Sequence, residues 1–135
     1  MLEEKIMERV MDHYDNPRNF GKLKDPDIIQ RGGNQSCGDN IIVYMNVENC
    51  IVTEISFDGE GCIISQAATS ILTDIVKGKS IEEINKLDSE YLKELIGKDI
   101  IIRRPHCSKL GLETIKFGIK NFDNGNENPC SAAEL

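Results

Sequence analysis

The sequence predicts an α+β fold, in which a small antiparallel sheet of about three strands is covered by helices. Two observations support this class. Residues 40–47 and 51–58 alternate apolar and polar side chains, and only residues 48–50 separate them, as in a β-hairpin. Residues 62–77 then change to a helical period, with apolar side chains at i, i+3 and i+4.

The other elements follow in order along the chain. An amphipathic helix is predicted over residues 2–14, and residues 25–35 are irregular or hold a short edge strand. Short helices are predicted near 80–87 and 89–96, residues 99–103 suit an extended segment, and a last helix covers 107–122. In the hairpin, each strand is expected to place alternate residues on one face, namely Ile41, Val43, Met45 and Val47 in the first and Ile51, Thr53, Ile55 and Phe57 in the second.

Length, charge and hydropathy limit the class of protein. The chain of 135 residues predicts one domain over residues 1–122 and a flexible polar tail over 123–135. A formal net charge of −7, with scattered basic residues, argues against a nucleic-acid partner. No apolar run suits a signal peptide or a membrane span, so we expect a cytoplasmic protein with reduced cysteines.

Three short clusters carry the chemistry: Cys37-Gly38-Asp39, Gly61-Cys62 and His106-Cys107. Thiols, an imidazole and a carboxylate together suit iron, zinc or an iron–sulfur cluster better than magnesium or calcium. Cys37 and Cys62 flank the hairpin at equal distances from its turn, so they should meet Asp39 at the open end. Cys62 and Cys107 come at predicted helix starts, where free N–H groups favour a thiolate.

The remaining candidates have simpler interpretations. Cys50, in the predicted hairpin turn, is best explained as a packed small residue. Cys130 is expected to be a bystander in the tail, with an auxiliary thiol role as the alternative. His13 lies on the first helix, where a packing or surface role is favoured over a functional one.

With these motifs in this order, the chain resembles the iron–sulfur cluster assembly scaffold family of IscU and the NifU N-terminal domain. The resemblance covers roughly residues 1–122. It rests on Asp12-His13-Tyr14-Asp15-Asn16-Pro17-Arg18-Asn19-Phe20-Gly21, Ser36-Cys37-Gly38-Asp39, Gly59-Glu60-Gly61-Cys62, Val76-Lys77-Gly78-Lys79 and His106-Cys107-Ser108.

The resemblance implies a carrier rather than an enzyme. Such scaffolds take sulfur from a cysteine desulfurase and iron from a donor, assemble a [2Fe–2S] cluster and pass it to apo-proteins. It further implies that Cys107 accepts the persulfide sulfur and that Arg104 stabilises a thiolate. The implied cluster ligands are Cys37, Cys62 and Cys107 with Asp39 or His106 as the fourth, and the implied zinc ligands of the cluster-free form are Asp39, Cys62, His106 and Cys107.

Departures from the family pattern leave alternatives open. The zinc-dependent SufU branch, whose members are sulfur acceptors that stimulate a desulfurase, has an insertion between its second and third cysteines and lacks the His. Here Cys107 is the 45th residue after Cys62 and His106 is present, which favours the scaffold branch. The segment that an Hsp70-type chaperone recognises in IscU is replaced by residues 100–105. Ile6 stands where a tyrosine is linked to homodimer formation in some members.

Overall fold

The computed structural model describes residues 2–34 and 38–125. They form a three-stranded antiparallel sheet of order β1-β2-β3 with helices around it, which confirms the predicted α+β class. The elements are α1 (Leu2–Asp15), β1 (Ile28–Asn34), β2 (Asp39–Glu48), β3 (Ile51–Glu60), α2 (Ile63–Val76), α3 (Ile81–Asn85), α4 (Ser89–Ile96), α5 (Lys98–Arg103) and α6 (Pro105–Asn124).

Strands β2 and β3 form the predicted hairpin. Its loop is Asn49-Cys50, and both residues have positive φ, +53° and +63°, as a type I′ turn requires. This turn follows the twist of the strands and therefore sets their register. Cys50 is disulfide-bonded, so the expectation of reduced cysteines is wrong for this residue. Pairing of cysteines cannot be deduced from sequence alone.

A β-bulge corrects the predicted inner face of β3. Asn46 pairs with Glu54, whereas Val47 pairs with Val52, so Thr53 is an extra residue without a partner in this register. The bulge reverses the alternation toward the turn. Val52 is buried while Ile51 and Thr53 are exposed, and Ile55 and Phe57 stay buried as predicted.

Two helices cover the sheet. Helix α6 packs on β1 and β2, and α2 packs on β3 and on α6. Helix α1 also packs on α2. Because α2 is enclosed from several sides, it buries polar as well as apolar residues, although Ile63 at its start is 41% exposed. Gly78, with φ +88°, follows the C-cap residue Lys77 and has the left-handed backbone conformation that favours glycine. The apolar core includes Val43, Met45, Phe57, Ala67, Leu72, Ile115 and Ile119.

The structure settles or corrects three predicted segments. The ambiguous residues 25–35 contain edge strand β1, which pairs antiparallel with β2. Residues 99–103 are helical, because α5 follows the turn at Gly97 (φ +90°) and buries Ile101 in the core. Helix α6 begins at Pro105 and ends at Asn124, two residues beyond its predicted limits at either end.

None of the helices in the described ranges is long and apolar enough to cross a membrane.

A buried polar contact joins α1 to α2. His13 Nδ1 lies 2.7 Å from Ser70 Oγ, and the same hydroxyl oxygen accepts a hydrogen bond from the Arg18 N–H at 2.8 Å. His13 is only 8% exposed. Burial, and secondly the nearby Arg18 cation, lower the pKa of its imidazole below the usual 6.5. His13 therefore has the packing role that the sequence favours.

This burial predicts a stability that depends on pH. The pKa of His13 is lower in the folded chain, so the unfolded chain binds the proton more readily. The free energy of unfolding should therefore fall as pH drops below 6.5 and through the folded pKa. Urea denaturation of the wild type and of His13→Gln, from about pH 8 to about pH 5, measures this effect. Equal pH dependence of the two proteins would contradict the prediction.

Candidate metal centre

Three side chains with metal-binding atoms meet where one strand and two helices begin. Asp39 is the first residue of β2, Cys62 immediately precedes α2, and Cys107 lies in the first turn of α6. A carboxylate oxygen and two sulfur atoms lie within 4.8 Å of one another. Among the side chains that the structure describes, those of residues 4–33 and 38–125, no other three His, Cys, Asp or Glu residues form such a group.

The backbone of Cys62 anchors the Asp39 carboxylate. Asp39 Oδ1 accepts a hydrogen bond from the Cys62 N–H at 2.7 Å, and Oδ2 lies 3.9 Å from Cys62 Sγ. Asp39 is 4% exposed, so its orientation is restricted by its surroundings. The two oxygens have different neighbours, and Oδ2 can reach an ion while Oδ1 keeps its hydrogen bond.

Gly61 allows this approach of the carboxylate. The hairpin register pairs Asn40 with Glu60, which brings Asp39 beside Gly61 at the open end. A Cβ at residue 61 would overlap Asp39 Oδ1 and would lie 2.7 Å from Ser65 Oγ. Only glycine leaves room for the carboxylate here.

Cys62 is the N-cap residue of α2. Its Sγ accepts a hydrogen bond from the Ser65 N–H at 3.5 Å, and Ser65 Oγ lies 3.8 Å from the same sulfur. The Ser65 hydroxyl donates to the Cys62 carbonyl at 3.1 Å. Free N–H groups at a helix start stabilise negative charge on a sulfur. Cys62 thus occupies the helix start that its sequence context predicts.

Cys107 approaches from α6 and is fully buried. The sequence places it at the opening of this helix, but Pro105 is the first helical residue and Cys107 the third. Proline suits that first position because its missing N–H would have no partner there. Cys107 is 0% exposed, whereas Cys62 is half-buried. A partner can reach the Cys107 sulfur only after this part of the protein opens.

His106 and Cys37 are the other two predicted ligands, and the structure describes only His106. His106 precedes Cys107 on α6 but its side chain is exposed and outside the group of three. Cys37 lies outside the described residues. The roles of both as ligands remain predictions.

The group suits a soft or borderline metal ion. Zinc binds thiolate sulfur at about 2.3 Å and carboxylate oxygen at about 2.0–2.2 Å, usually in a tetrahedron, so its ligand atoms lie roughly 3.5–3.8 Å apart. The donor atoms of Asp39, Cys62 and Cys107 lie within 4.8 Å of one another, so each separation needs to shrink by at most about 1 Å to reach that spacing. Three donors leave one tetrahedral position for a further ligand.

Ser65 is a site residue that the sequence motifs did not predict. It is fully buried and touches Cys62 through its N–H and its hydroxyl. Its position three residues after the N-cap, the spacing of a capping box, is a signal that could have identified it.

Comparison with known proteins establishes the family. A family model described as NifU-like N terminal domain matches residues 5–128. The chain belongs to this family. The matched range of this NifU-like domain contains Cys37, Asp39, Cys62, His106 and Cys107, and the family assignment made from its motifs is confirmed.

Relatives of this NifU-like domain include two kinds of protein. It is 37% identical over 118 residues to the iron-sulfur cluster assembly scaffold protein IscU of Aquifex aeolicus, covering 85% of this chain and 74% of that protein. It is 40% identical over 134 residues to the zinc-dependent sulfurtransferase SufU of Bacillus subtilis, covering 87% and 90% respectively. An N-terminal NifU-like protein from Brucella abortus shares its fold, with a TM-score of 0.77 at 17% identity over 93% of this chain and 100% of that one.

Proposed function

We propose that this protein is a cytoplasmic scaffold for iron–sulfur cluster assembly and has no turnover of its own. It would accept sulfur from a cysteine desulfurase and iron from a donor, hold a transient [2Fe–2S] cluster and pass it to apo-proteins. The observation that carries the proposal is the meeting of Asp39, Cys62 and Cys107 within 4.8 Å. Family membership and the IscU relative support it.

The proposed ligands are three thiolates and one weaker donor. Cys37, Cys62 and Cys107 would hold the cluster, with Asp39 or His106 in the fourth position. In the cluster-free form, Asp39, Cys62, His106 and Cys107 would bind zinc. A carboxylate holds a thiophilic metal less firmly than sulfur does. Asp39 is therefore suited to be the ligand that an acceptor displaces.

Sulfur would enter at Cys107. In this step the Cys107 thiolate attacks the outer sulfur of the desulfurase persulfide. A new S–S bond forms at Cys107, the S–S bond of the desulfurase breaks, and its cysteine leaves as a thiolate. Because Cys107 is fully buried, docking of the desulfurase must first expose this sulfur.

The second candidate is a zinc-containing sulfur acceptor that stimulates a desulfurase. The 40% identity to SufU favours it. In that case zinc would stay bound during sulfur transfer and no cluster would form. The two candidates share a cysteine desulfurase as partner and differ in what the protein releases.

One experiment separates the two candidates. Purified protein is incubated anaerobically with iron, cysteine and a desulfurase, while visible absorption and circular dichroism are recorded. We expect a cluster spectrum that decays as an apo-ferredoxin acquires its own cluster. Faster sulfide release with zinc retained and no visible chromophore would overturn the scaffold proposal and favour the zinc-dependent one.

Replacing Asp39 with alanine should slow cluster release without blocking assembly. The variant keeps the cysteine ligands, so the cluster should still form, but it lacks the weak ligand at which exchange begins. We expect transfer to apo-ferredoxin to slow several-fold, measured by circular dichroism. Asp39→Asn is the matched variant, since its amide oxygen can still accept from the Cys62 N–H. Equal or faster transfer by Asp39→Ala would refute this role.

A further inference from the structure

Helices α2 and α6 pack closely together at a point four residues after Cys107 on α6 and seven residues after Cys62 on α2. Gly111 of α6 faces Thr69 of α2, and both are buried. A Cβ at residue 111 would overlap Thr69 Oγ1 and would lie 3.1 Å from both Thr69 Cα and Cβ. The separation of the two helices at this point therefore depends on the missing side chain of Gly111.

Thr69 cannot move aside easily. Its hydroxyl donates a hydrogen bond to the Ser65 carbonyl at 2.7 Å, and the residue is 0% exposed. Rotation about χ1 would break this bond inside a packed interface. Since Thr69 Cα is also close, a larger residue at 111 must push the helices apart rather than only displace a hydroxyl.

The same helix faces carry the two thiols. Cys107 lies four residues before Gly111, and Cys62 lies seven residues before Thr69, so each pair shares one side of its helix. Four residues correspond to about 6 Å along a helix axis. Because packed helices transmit small shifts, the Gly111–Thr69 distance controls the gap between the two sulfur atoms.

We propose that Gly111 and Thr69 are positioning residues that set the spacing of the Cys62 and Cys107 thiols for metal binding. The inference rests on the metal centre of the proposed function. Ligand distances at a metal are tolerated within about 0.2 Å. The donor atoms already have to move to reach the spacing at a metal ion, and a helix shift that adds to this movement would weaken binding without removing any ligand.

Gly118 provides a matched control on the same helix. A Cβ there would lie 2.9 Å from Gln30 Cβ and 3.1 Å from Ile28 Cγ2. A side chain at residue 118 would therefore crowd α6 against β1 instead of against α2. Gly118 also lies seven residues farther along α6 from Cys107 than Gly111 does. Gly118→Ala thus tests whether crowding of α6 anywhere is enough to change the site.

The experiment is an anaerobic titration of the cluster-free protein with Co²⁺ and Zn²⁺. Thiolate-to-cobalt absorption reports coordination, and a chromophoric chelator competing for Zn²⁺ reports affinity. Gly111→Ala should weaken binding by about 10–100-fold, the range for residues that support metal ligands. Gly118→Ala should retain wild-type affinity. Gly111→Ala/Thr69→Ala should recover part of the loss, because the overlapping hydroxyl is gone while the Thr69 Cα and Cβ contacts at 3.1 Å remain.

A second readout needs no metal. Dibromobimane fluoresces when it joins two thiols, and it reports the Cys62–Cys107 gap once the other three cysteines are replaced by serine. In that background the reaction is followed to completion, because burial of Cys107 limits its rate, and a smaller fraction of Gly111→Ala than of Gly118→Ala should be cross-linked. Equal behaviour of the two alanine variants in binding and cross-linking, or failure of Thr69→Ala to rescue, would overturn the inference. A wild type that binds neither ion would instead refute the metal centre, while cross-linking still tests the spacing.

Discussion

Cys62→Ser and Cys107→Ser are each expected to lower the affinity for Zn²⁺ by about a hundredfold or more. Structural zinc sites bind with about 10–16 kcal/mol. One of four ligands is then worth roughly 3 kcal/mol, which corresponds to this loss in affinity. The measurement is an anaerobic competition titration with a chromophoric chelator, together with the metal content of the purified protein.

Cys130→Ser is the matched control for these two variants. Cys130 lies beyond residues 5–128, the range that the family model matches, so its replacement should leave Zn²⁺ affinity unchanged. Wild-type affinity in Cys62→Ser or Cys107→Ser would refute the metal centre. Cys37→Ser and His106→Ala in the same titration determine which of these residues completes the site.

Phe57→Ala should cause the largest loss of folding stability among single core substitutions at the sheet. Phe57 is 1% exposed and packs edge-on against Phe20, with ring centroids 5.2 Å apart. Its N–H donates to the Asn19 carbonyl at 2.9 Å, and its carbonyl accepts from the Gly21 N–H at 2.8 Å. Removing a buried phenylalanine ring costs about 3–5 kcal/mol, because it leaves a cavity. Urea denaturation measures the loss.

Phe117→Ala is the control, because it also removes a phenylalanine ring but from an exposed position. Phe117 is 56% exposed on α6, and its replacement should change the free energy of unfolding by less than about 0.5 kcal/mol. A similar cost for the two substitutions would contradict the assignment of Phe57 to the core. A small cost for Phe57→Ala alone would show that the segment around Phe20 does not depend on this ring.

The hairpin was the most predictable part of the site. The alternation in β2 and β3 and the short loop at Asn49-Cys50 bring Asp39 beside Cys62. There the Cys62 N–H donates a hydrogen bond of 2.7 Å to Asp39 Oδ1. These features are local, because the distance of each residue from the turn determines which residue lies opposite it in an antiparallel pair. The sequence also predicted that Cys62 begins a helix, because the hydrophobic period changes there.

Sequence patterns predicted local structure less well in segments whose conformation depends on contacts with distant parts of the chain. The sequence of β3 gives no signal of the bulge at Thr53. Ile51 and Val52 are neighbours and both apolar, so either of them could belong to the buried face. Residues 99–103 contain three consecutive isoleucines, which favour a strand, yet no sheet edge receives them and α5 forms instead. Residues 126–135, which include most of the predicted tail, lie outside the described structure.

The sequence by itself determined the α+β class, the hairpin, the family and the types of ligand atom, because residue identity and period are local properties. Tertiary structure alone decided that Cys107 is buried and that Gly111 meets Thr69. These relations depend on how α6 crosses α2, and that crossing results from side-chain packing between segments far apart in the chain.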